Sequence, residues 1–342
     1  MDFGKLEKFL ESEKTPKYRL DQIKKAICKD GVFSFSDIST LPKSFREKIE
    51  KKIKMLSFQE EKILKSLDGR SIKASLKLYD GKFIESVLIS PKPDAWSACV
   101  SSQVGCPMGC QFCATGQDGF QRNLTSEEIT DQILFWKQYI KRNKISGIFS
   151  NIVFMGMGEP FLNWKEVSKS IKDLTDEKLF GFGSRSISIS TVGIRGAIEK
   201  MAKDFPQVNL AISLHFGNSK KRSEYMPINK EYGLGELKES IAHYFRKTRR
   251  KIFLEYIMLG DVNDSWKDAE DLVKFIQSIG DNYLLHVNLI KYNKTSGRFM
   301  PSTGVRINEF KNYLESKKIN VTIRKSLGED IQGACGQLAG KN

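Results

Sequence analysis

The chain has 342 residues, of which 40% are hydrophobic and 11% aromatic, so it has enough apolar material for a packed core and is not a disordered chain. Lys and Arg number 56 against 41 acidic residues, which gives a formal net charge of +15. This balance suits a polyanionic partner such as RNA, because each phosphate that a cation neutralises releases counterions. A generally lysine-rich composition gives the same balance, so charge alone leaves both interpretations open.

The first residues, MDFGKLEKFLESEK, are charged from Asp2 onward and lack the apolar segment of a secretion signal. No apolar run approaches the ~20 residues of a membrane span. We therefore expect a cytoplasmic protein without membrane contact. Disulfide frameworks are rare in a reducing compartment, so clustered cysteines there predict metal ligands or catalytic thiols.

The amino-terminal part of the chain changes character once. Residues 1–58 have the pattern of short, charged helices, and Thr40 is predicted to cap a helix whose first turn contains Pro42. Residues 59–94 instead alternate apolar and polar side chains on either side of Asp80-Gly81. That alternation about an Asp-Gly dipeptide predicts a β-hairpin.

Strand-like runs alternate with amphipathic helices from residue 95 to residue 319. The runs are WSACVSS (96–102), NIVFM (151–155), SISIST (186–191), VNLAISLH (208–215), KIFLEYIML (251–259) and LLHVNLIKY (284–292). Thr125 and Glu128 form a capping box before the first long helix. Six such β/α steps predict an α/β fold with a parallel sheet, curled or open. Sites in such folds lie at the carboxyl ends of the strands.

Four of the six cysteines lie in one short stretch, CVSSQVGCPMGCQFC, at residues 99–113. Cys106, Cys110 and Cys113 form C-x3-C-x2-C, which is one ligand too few for a closed zinc site or for an ordinary [4Fe-4S] cluster. Three ligands leave one iron of such a cluster open to a substrate. The motif, after a strand and before a helix, resembles the radical S-adenosylmethionine (SAM) superfamily, in which that open iron binds SAM. The alternative is a zinc site with Cys99 as the fourth ligand.

A second motif, FMGMGEP, follows the next predicted strand. Gly156 and Gly158 allow a ligand to approach the backbone closely, and the Glu159 carboxylate can accept hydrogen bonds from an ammonium group. On its own this motif is an ordinary turn. Its distance from the cysteine motif matches the segment of radical SAM enzymes that binds the methionine part of SAM.

The whole chain resembles the RlmN/Cfr family, whose members methylate a carbon atom of adenosine in RNA. The resemblance is carried by CVSSQVGCPMGCQFCATGQDGFQRNLTSEEITDQI, FMGMGEP, ISTVGI, LAISLH, MPIN, VNLI and VTIRKSLGEDIQGACGQLAG. It implies a partial (β/α)6 radical SAM barrel at 95–319, preceded by a small helical accessory domain at 1–58 that docks RNA. It further implies a β-hairpin extension at 59–94, and a carboxyl-terminal strand with a glycine-rich tail at 320–342.

The resemblance also assigns chemistry to the remaining thiols. Cys335 is implied to be the methyl carrier, forming an S-methylcysteine from one SAM. A second SAM, cleaved at the [4Fe-4S] cluster that Cys106, Cys110 and Cys113 hold, then provides the radical that activates this methyl group. Cys99 is implied to release the product through a transient disulfide with Cys335. Glu85 aligns with the family's proton acceptor, although a Glu in a strand is more often solvated.

Further SAM contacts carry over by position, because each closes a predicted strand. They are Gly158, Glu159, Ser190, Ser213, Leu214, His215 and Asn293. Structural roles remain open for them: Ser190 could cap a turn, and His215 could be a satisfied core residue. Asn293 is followed by Lys294 where we expect proline in relatives, which leaves the shape of this loop open. Cys28 is predicted to be a small buried residue of a helix.

Within the family, RlmN-type members methylate C2 of adenosine, and Cfr-type members methylate C8 and confer drug resistance. Pro160 favours the C2 type, so we expect an RNA (adenine-C2)-methyltransferase that acts on 23S rRNA and on the adenosine next to the anticodon of tRNAs. The resemblance implies an external electron donor such as flavodoxin or ferredoxin, and a monomer. The competing hypothesis is a zinc-stabilised RNA-binding protein without catalysis.

Overall fold

A computed structural model describes residues 1–295 and 297–340. Three helices begin the chain: α1 (Phe3–Ser12), α2 (Tyr18–Cys28) and α3 (Lys43–Lys52). Each has one apolar face that is buried, and Cys28 is completely buried in α2, as predicted. The predicted cap at Thr40 is wrong, because α3 begins at Lys43 with Pro42 as its N-cap. A proline disfavours helical backbone in the residue before it, so this helix starts only after Pro42.

Three antiparallel strands follow: β1 (Phe58–Lys65), β2 (Ser71–Leu78) and β3 (Phe83–Lys92). The predicted hairpin is the β2–β3 pair, and Gly81 in its turn has φ +82°, a conformation that favours glycine. The strand β1 was not predicted. Because β3 also pairs with the next strand, these residues continue the main sheet.

From residue 95 onward strands and helices mostly alternate, as the sequence predicts, but two short strands at 103–105 and 120–123 were not predicted. The strands are β4 (Ala95–Cys99), β5 (Gln103–Gly105), β6 (Phe120–Asn123), β7 (Ile148–Phe154), β8 (Ile187–Thr191), β9 (Asn209–Ser213), β10 (Ile252–Met258), β11 (Leu285–Lys291) and β12 (Asn320–Arg324). The helices are α4 (Ala114–Gln117), α5 (Ser126–Arg142), α6 (Trp164–Thr175), α7 (Ala197–Asp204), α8 (Ser219–Tyr225), α9 (Leu234–Thr248), α10 (Trp266–Ile279) and α11 (Gly304–Ser316).

Ten of these strands form one sheet, in the order β1-β2-β3-β4-β7-β8-β9-β10-β11-β12. The pairs from β4 through β12 are all parallel, which confirms the α/β fold with a parallel sheet. The short strands β5 and β6 pair with each other and frame the cysteine motif. The carboxyl ends of the parallel strands therefore lie side by side at one edge of the sheet.

Helix α5 shows how the local sequence determines where a helix begins. Thr125 and Glu128 form the predicted capping box, and most of the residues of α5 are buried. Part of this burial is against the amino-terminal segment, since Gln138 Nε2 donates to Val32 O at 2.6 Å. In the part of the chain that the structure describes, no helix is long and apolar enough to cross a membrane.

Candidate active site

A cavity of about 450 Å³ opens at the carboxyl ends of the parallel strands. Its volume is within the range of small-molecule and cofactor sites. Eleven of the thirteen site residues predicted from the sequence line it: Cys99, Cys106, Cys110, Cys113, Gly158, Glu159, Ser190, Ser213, His215, Asn293 and Cys335. The other two, Glu85 and Leu214, lie outside its lining.

Close backbone packing shapes the loop that carries the first three thiols. Cys106 donates its N–H to Gly119 O at 2.9 Å. Gly105, before it, has φ +74°, and a Cβ there would lie 1.9 Å from the same carbonyl oxygen. Only glycine fits at this position, so the strand can turn directly into the cysteine loop.

The cysteines fall into two groups by electrostatic proximity. Cys106, Cys110 and Cys113, the thiol triad, are close enough that a charge on one raises the pKa of a neighbour. Cys335 likewise raises the pKa of Cys99, and we call these two residues the thiol pair; Cys113 of the triad in turn raises the pKa of Cys335. Burial, the larger cause, raises the pKa of Cys99 and Cys106 to about 12. Cys99 therefore lies with Cys335 and is not a fourth member of the triad.

The thiol triad suits a cluster better than a single metal ion. Zinc holds its sulfur ligands about 2.3 Å away, so three thiolates on one ion must nearly touch. Across residues 1–295 and 297–340, no three His, Cys, Asp or Glu side chains converge in that way. Cys106, Cys110 and Cys113 therefore line one cavity without forming such a single-ion site.

The motif after β7 places a carboxylate beside the triad. Glu159 is buried, and its carboxylate accepts the N–H of Val192 at 2.9 Å and the N–H of Phe161 at 3.1 Å. Burial raises the pKa of Glu159 to about 7, although these two hydrogen bonds oppose the shift. A buried carboxylate with room in front of it favours a cationic ligand group such as an ammonium.

Gly158 of this motif must be glycine because Gln103 packs closely against it. A Cβ on Gly158, whose φ is +102°, would lie 2.6 Å from Gln103 Cβ. Gln103 Oε1 accepts the N–H of Glu159 at 2.8 Å, so the same residue both packs on the glycine and positions the carboxylate. This loop is therefore bound to the chain segment just before the cysteine motif.

Polar groups at the next two strand ends face the same cavity. Ser190 Oγ and Ser213 Oγ lie 3.1 Å apart at the ends of β8 and β9. His215 has φ +58°, and its Nδ1 accepts the N–H of Ile257 at 3.2 Å. Burial and the nearby Arg222 lower the pKa of His215 to about 3, so its ring is neutral. Leu214 points into the core, and its carbonyl accepts from Arg222.

The C-terminal tail, residues 328–340, closes one side of the cavity. Ala114 N–H donates to Gly336 O at 2.8 Å, and Thr115 Oγ donates to Leu338 O at 2.5 Å. Asn293 Nδ2 donates to Cys335 O at 3.2 Å. These bonds hold Cys335 over the cysteine loop, with its side chain exposed to the cavity.

Glu85 binds the tail and does not line the cavity. It is buried on β3, where its Oε1 lies 2.8 Å from Lys73 Nζ and its Oε2 accepts the N–H of Ala339 at 2.9 Å. Lys73 also donates to Gln332 O at 3.2 Å. This buried ion pair therefore contacts the tail at two points.

Sequence reasoning missed a second buried ion pair. Arg324 Nη1 lies 3.2 Å from Glu255 Oε2, and Asn288 Nδ2 donates to Glu255 Oε1 at 2.9 Å. Both charged residues line the cavity, and the guanidinium opposes the raised pKa of Cys99 and Cys335. A signal was available for Glu255, which interrupts the otherwise apolar strand IFLEYIM, but not for Arg324, which ends the alternating strand NVTIR.

Comparison with known proteins finds relatives over nearly the whole chain. The model of the Radical SAM superfamily matches residues 100–276. "Ribosomal RNA large subunit methyltransferase Cfr" of Clostridium botulinum (strain Okra / Type B1) is 39% identical, over 99% of this chain and 97% of the relative. "Probable dual-specificity RNA methyltransferase RlmN" of Dictyoglomus turgidum is 40% identical, over 98% of this chain and 94% of the relative.

A solved structure is similar over the whole chain. The crystal structure of a radical SAM methyltransferase from Sphaerobacter thermophilus has a TM-score of 0.92 and 36% identity, and the match covers 100% of this chain and 98% of the other. A structure this similar over nearly the full length of both chains shares the fold. The chain belongs to the RlmN/Cfr family of the radical SAM superfamily.

Proposed function

We propose that this protein methylates C2 of an adenosine in the 23S rRNA of the large ribosomal subunit, by way of a methyl group carried on Cys335. One observation carries the proposal: the thiol pair, which is far apart in sequence, lines the cavity that also contains the thiol triad. A zinc-stabilised RNA-binding protein would have no use for two additional thiols at such a site.

The first residues to consider are those that would hold the cluster and the methionine part of SAM. Cys106, Cys110 and Cys113 hold a [4Fe-4S] cluster through three thiolates, which leaves one iron for SAM. When both are bound, the cluster and SAM together would supply a 5′-deoxyadenosyl radical. Glu159 and the backbone at Gly158 receive the ammonium group of SAM, because they form a buried acceptor beside the triad.

The strand ends provide the rest of the SAM site. The Ser190 and Ser213 hydroxyls would bind the ribose of SAM. The neutral His215 ring would lie next to the adenine of SAM. Leu214 acts through its backbone, since its side chain is in the core. Asn293 acts by holding Cys335 in place.

The thiol pair performs the transfer. The Cys335 sulfur would take a methyl group from one SAM, which leaves as S-adenosylhomocysteine. That methyl group would lose a hydrogen atom to the 5′-deoxyadenosyl radical from a second SAM, and the resulting carbon radical would add to C2 of the adenine ring. The adduct would then return one electron to the cluster and lose the C2 proton. Cys99 then attacks the Cys335 sulfur. A disulfide would form between them as the bond from that sulfur to the transferred carbon breaks. The electron pair of that bond would go to the carbon, which takes up a proton and leaves as the methyl group of the RNA. An external thiol reductant would return the disulfide to two thiols. Arg324 lies close enough to both thiols to favour the attacking thiolate.

Glu85 is proposed as the acceptor of the proton that leaves the adenine ring. Its carboxylate is paired with Lys73 and binds the tail that carries Cys335, so it is tied to the carrier loop. To reach the substrate, it must give up the N–H of Ala339. If the tail moves when RNA enters, the Glu85 carboxylate would be released from Ala339 at the same time.

Pro160, directly after Glu159, supports the C2 assignment. Methylation of C8 is the second candidate, and the Cfr relative at 39% identity supports it. We also propose tRNA as a second substrate, because the RlmN relative is named as dual-specificity. A flavodoxin or ferredoxin would donate the electron, and the protein would act as a monomer.

The test is mass spectrometry of nucleosides from 23S rRNA and from tRNA after incubation with anaerobically reconstituted protein, SAM and dithionite. We expect 2-methyladenosine in both. A product at C8 would overturn the regiochemistry alone. Iron and zinc analysis of the same preparation tests the cofactor, and stoichiometric zinc without iron would refute the enzyme proposal.

A further inference from the structure

Arg222, on α8, is a completely buried arginine. Its guanidinium donates three hydrogen bonds, all to neutral oxygens: to Val192 O at 2.6 Å, to Asn229 Oδ1 at 2.9 Å and to Leu214 O at 3.2 Å. Burial of a charge is costly unless a counter-charge compensates it. These three acceptors satisfy the hydrogen-bonding geometry of the guanidinium but leave its charge uncompensated.

Two other arginines, both only partly exposed, have acid partners. Arg324 pairs with Glu255, and Arg122 pairs with Glu128 and Asp80. For Arg222, no carboxylate oxygen of residues 1–295 or 297–340 lies within 4.0 Å. Burial lowers the pKa of Arg222 to about 10, so the group still carries its proton at neutral pH.

Helix α8 packs on the cysteine loop, because the N–H of Gln111, the neighbour of Cys110, donates to Tyr225 O at 3.1 Å. The ionisable group of this loop that interacts with Arg222 is the Cys110 thiol. It is the one group whose charge opposes the lowered pKa of Arg222, and the guanidinium in turn opposes the raised pKa of Cys110. The guanidinium also lowers the pKa of His215, but this ring is neutral and cannot compensate the charge of Arg222. The counter-charge therefore belongs at the thiol triad.

A [4Fe-4S] group held by three thiolates has the required sign. Three thiolates carry one more negative charge than the oxidised core carries positive charge, and one-electron reduction adds a further negative charge. A fixed cation in a dry environment stabilises the reduced form more than the oxidised form, and net charge is among the factors that set cluster potentials.

Building on the proposed function, we propose that Arg222 is the buried counter-charge of the cluster and raises its reduction potential. It acts through Cys110 as a positioning residue and touches neither SAM nor RNA. The step it favours is transfer of one electron from a low-potential donor to the cluster, in which no bond breaks and no proton moves. Part of the driving force for reducing the cluster is therefore built into the fold, and electron transfer from the reduced cluster to SAM becomes less favourable by the same amount.

The test compares Arg222→Gln, which removes the charge, with Arg222→Lys, which keeps it. Each protein is reconstituted without air, its iron and sulfide are measured, and the cluster is titrated with dithionite under spectroscopic monitoring. At the potential where the wild-type cluster is half reduced, we expect the ratio of reduced to oxidised cluster in Arg222→Gln to fall about tenfold, or about 59 mV for one electron. Arg222→Lys should remain close to wild type.

Two further variants separate charge from structure. Lys221→Gln removes a half-exposed neighbouring cation that is paired with Asp268, and it should leave the potential unchanged. Asn229→Asp leaves Arg222 in place but puts a carboxylate where Nη1 now meets an amide oxygen at 2.9 Å, so it should lower the potential as well. This variant decides the question if Arg222→Gln does not retain its iron.

The outcomes are distinct. If Arg222→Gln and Asn229→Asp hold full clusters at the wild-type potential, or if Arg222→Lys shifts as far as Arg222→Gln, then Arg222 is only a cross-link between loops and the inference is wrong. If the wild-type protein itself binds zinc without iron, the proposed function fails first. Iron analysis of the wild type distinguishes the two failures.

Discussion

The glycine at position 158 provides a sharp test of the site's geometry. Replacing it with alanine forces a side chain into φ +102° and places a Cβ 2.6 Å from Gln103 Cβ and 2.9 Å from Gln103 N. The backbone strain costs about 1–3 kcal/mol. The overlap adds about 1–3 kcal/mol, because a backbone nitrogen cannot rotate away.

Gly280→Ala is the matched control. Gly280 also has positive φ, +79°, but a Cβ there would meet nothing within 4 Å. It therefore reports strain alone, and the difference of about 1–3 kcal/mol between the two variants measures the overlap. Urea unfolding of the reconstituted proteins gives both values.

The steric overlap in Gly158→Ala should also weaken SAM binding. Gln103 Oε1 accepts the N–H of Glu159, so displacing Gln103 moves the carboxylate that we expect to bind SAM. Equilibrium binding under anaerobic conditions should show SAM affinity at least tenfold weaker in Gly158→Ala and unchanged in Gly280→Ala, a difference of about 1.4 kcal/mol. Equal stability and equal SAM affinity in the two variants would refute this reasoning.

Three further predictions concern charged and reactive groups. Folding raises the pKa of Glu159 from 4.5 to about 7, so its contribution to stability is complete below pH 4.5 and is lost as pH rises through 7. Relative to Glu159→Gln, SAM-free wild type should lose about 3 kcal/mol over that window in urea titrations, and parallel pH profiles would contradict this. Lys73→Met leaves Glu85 buried without its partner, so we expect a loss of about 3–5 kcal/mol and faster proteolysis of the tail; an unchanged digestion rate would argue against the tail contact. Cys99→Ala should accumulate a covalent RNA adduct on Cys335, detectable by denaturing electrophoresis, whereas normal turnover without adduct would remove Cys99 from the release step.

The features that the sequence predicted are local in the chain. The thiol triad and the glycine motif each lie within a few residues, and strand periodicity places them at strand ends without any knowledge of distant contacts. The capping box of α5 was predictable for the same reason. The cap at Thr40 failed because the proline that follows excludes helical backbone before it.

The charged groups that hold the site together were not predictable in this way. Lys73 and Glu85 lie on adjacent strands and meet because of register, while Glu255 and Arg324 meet across β11. Arg222 looks like one cation in the run KKR until the fold buries it. Burial and pairing of this kind depend on the tertiary structure, which a local pattern does not contain.

The attachment of the tail has a consequence for how the protein folds. The bond from Ala339 to Glu85 spans 254 residues of chain, and the bond from Thr115 to Leu338 spans 223. Closing loops of that length is entropically unfavourable until the elements between them are in place. We therefore expect the sheet and its helices to form first, with the tail docking last. An intermediate with native secondary structure and a mobile Cys335 should then precede the active protein during refolding.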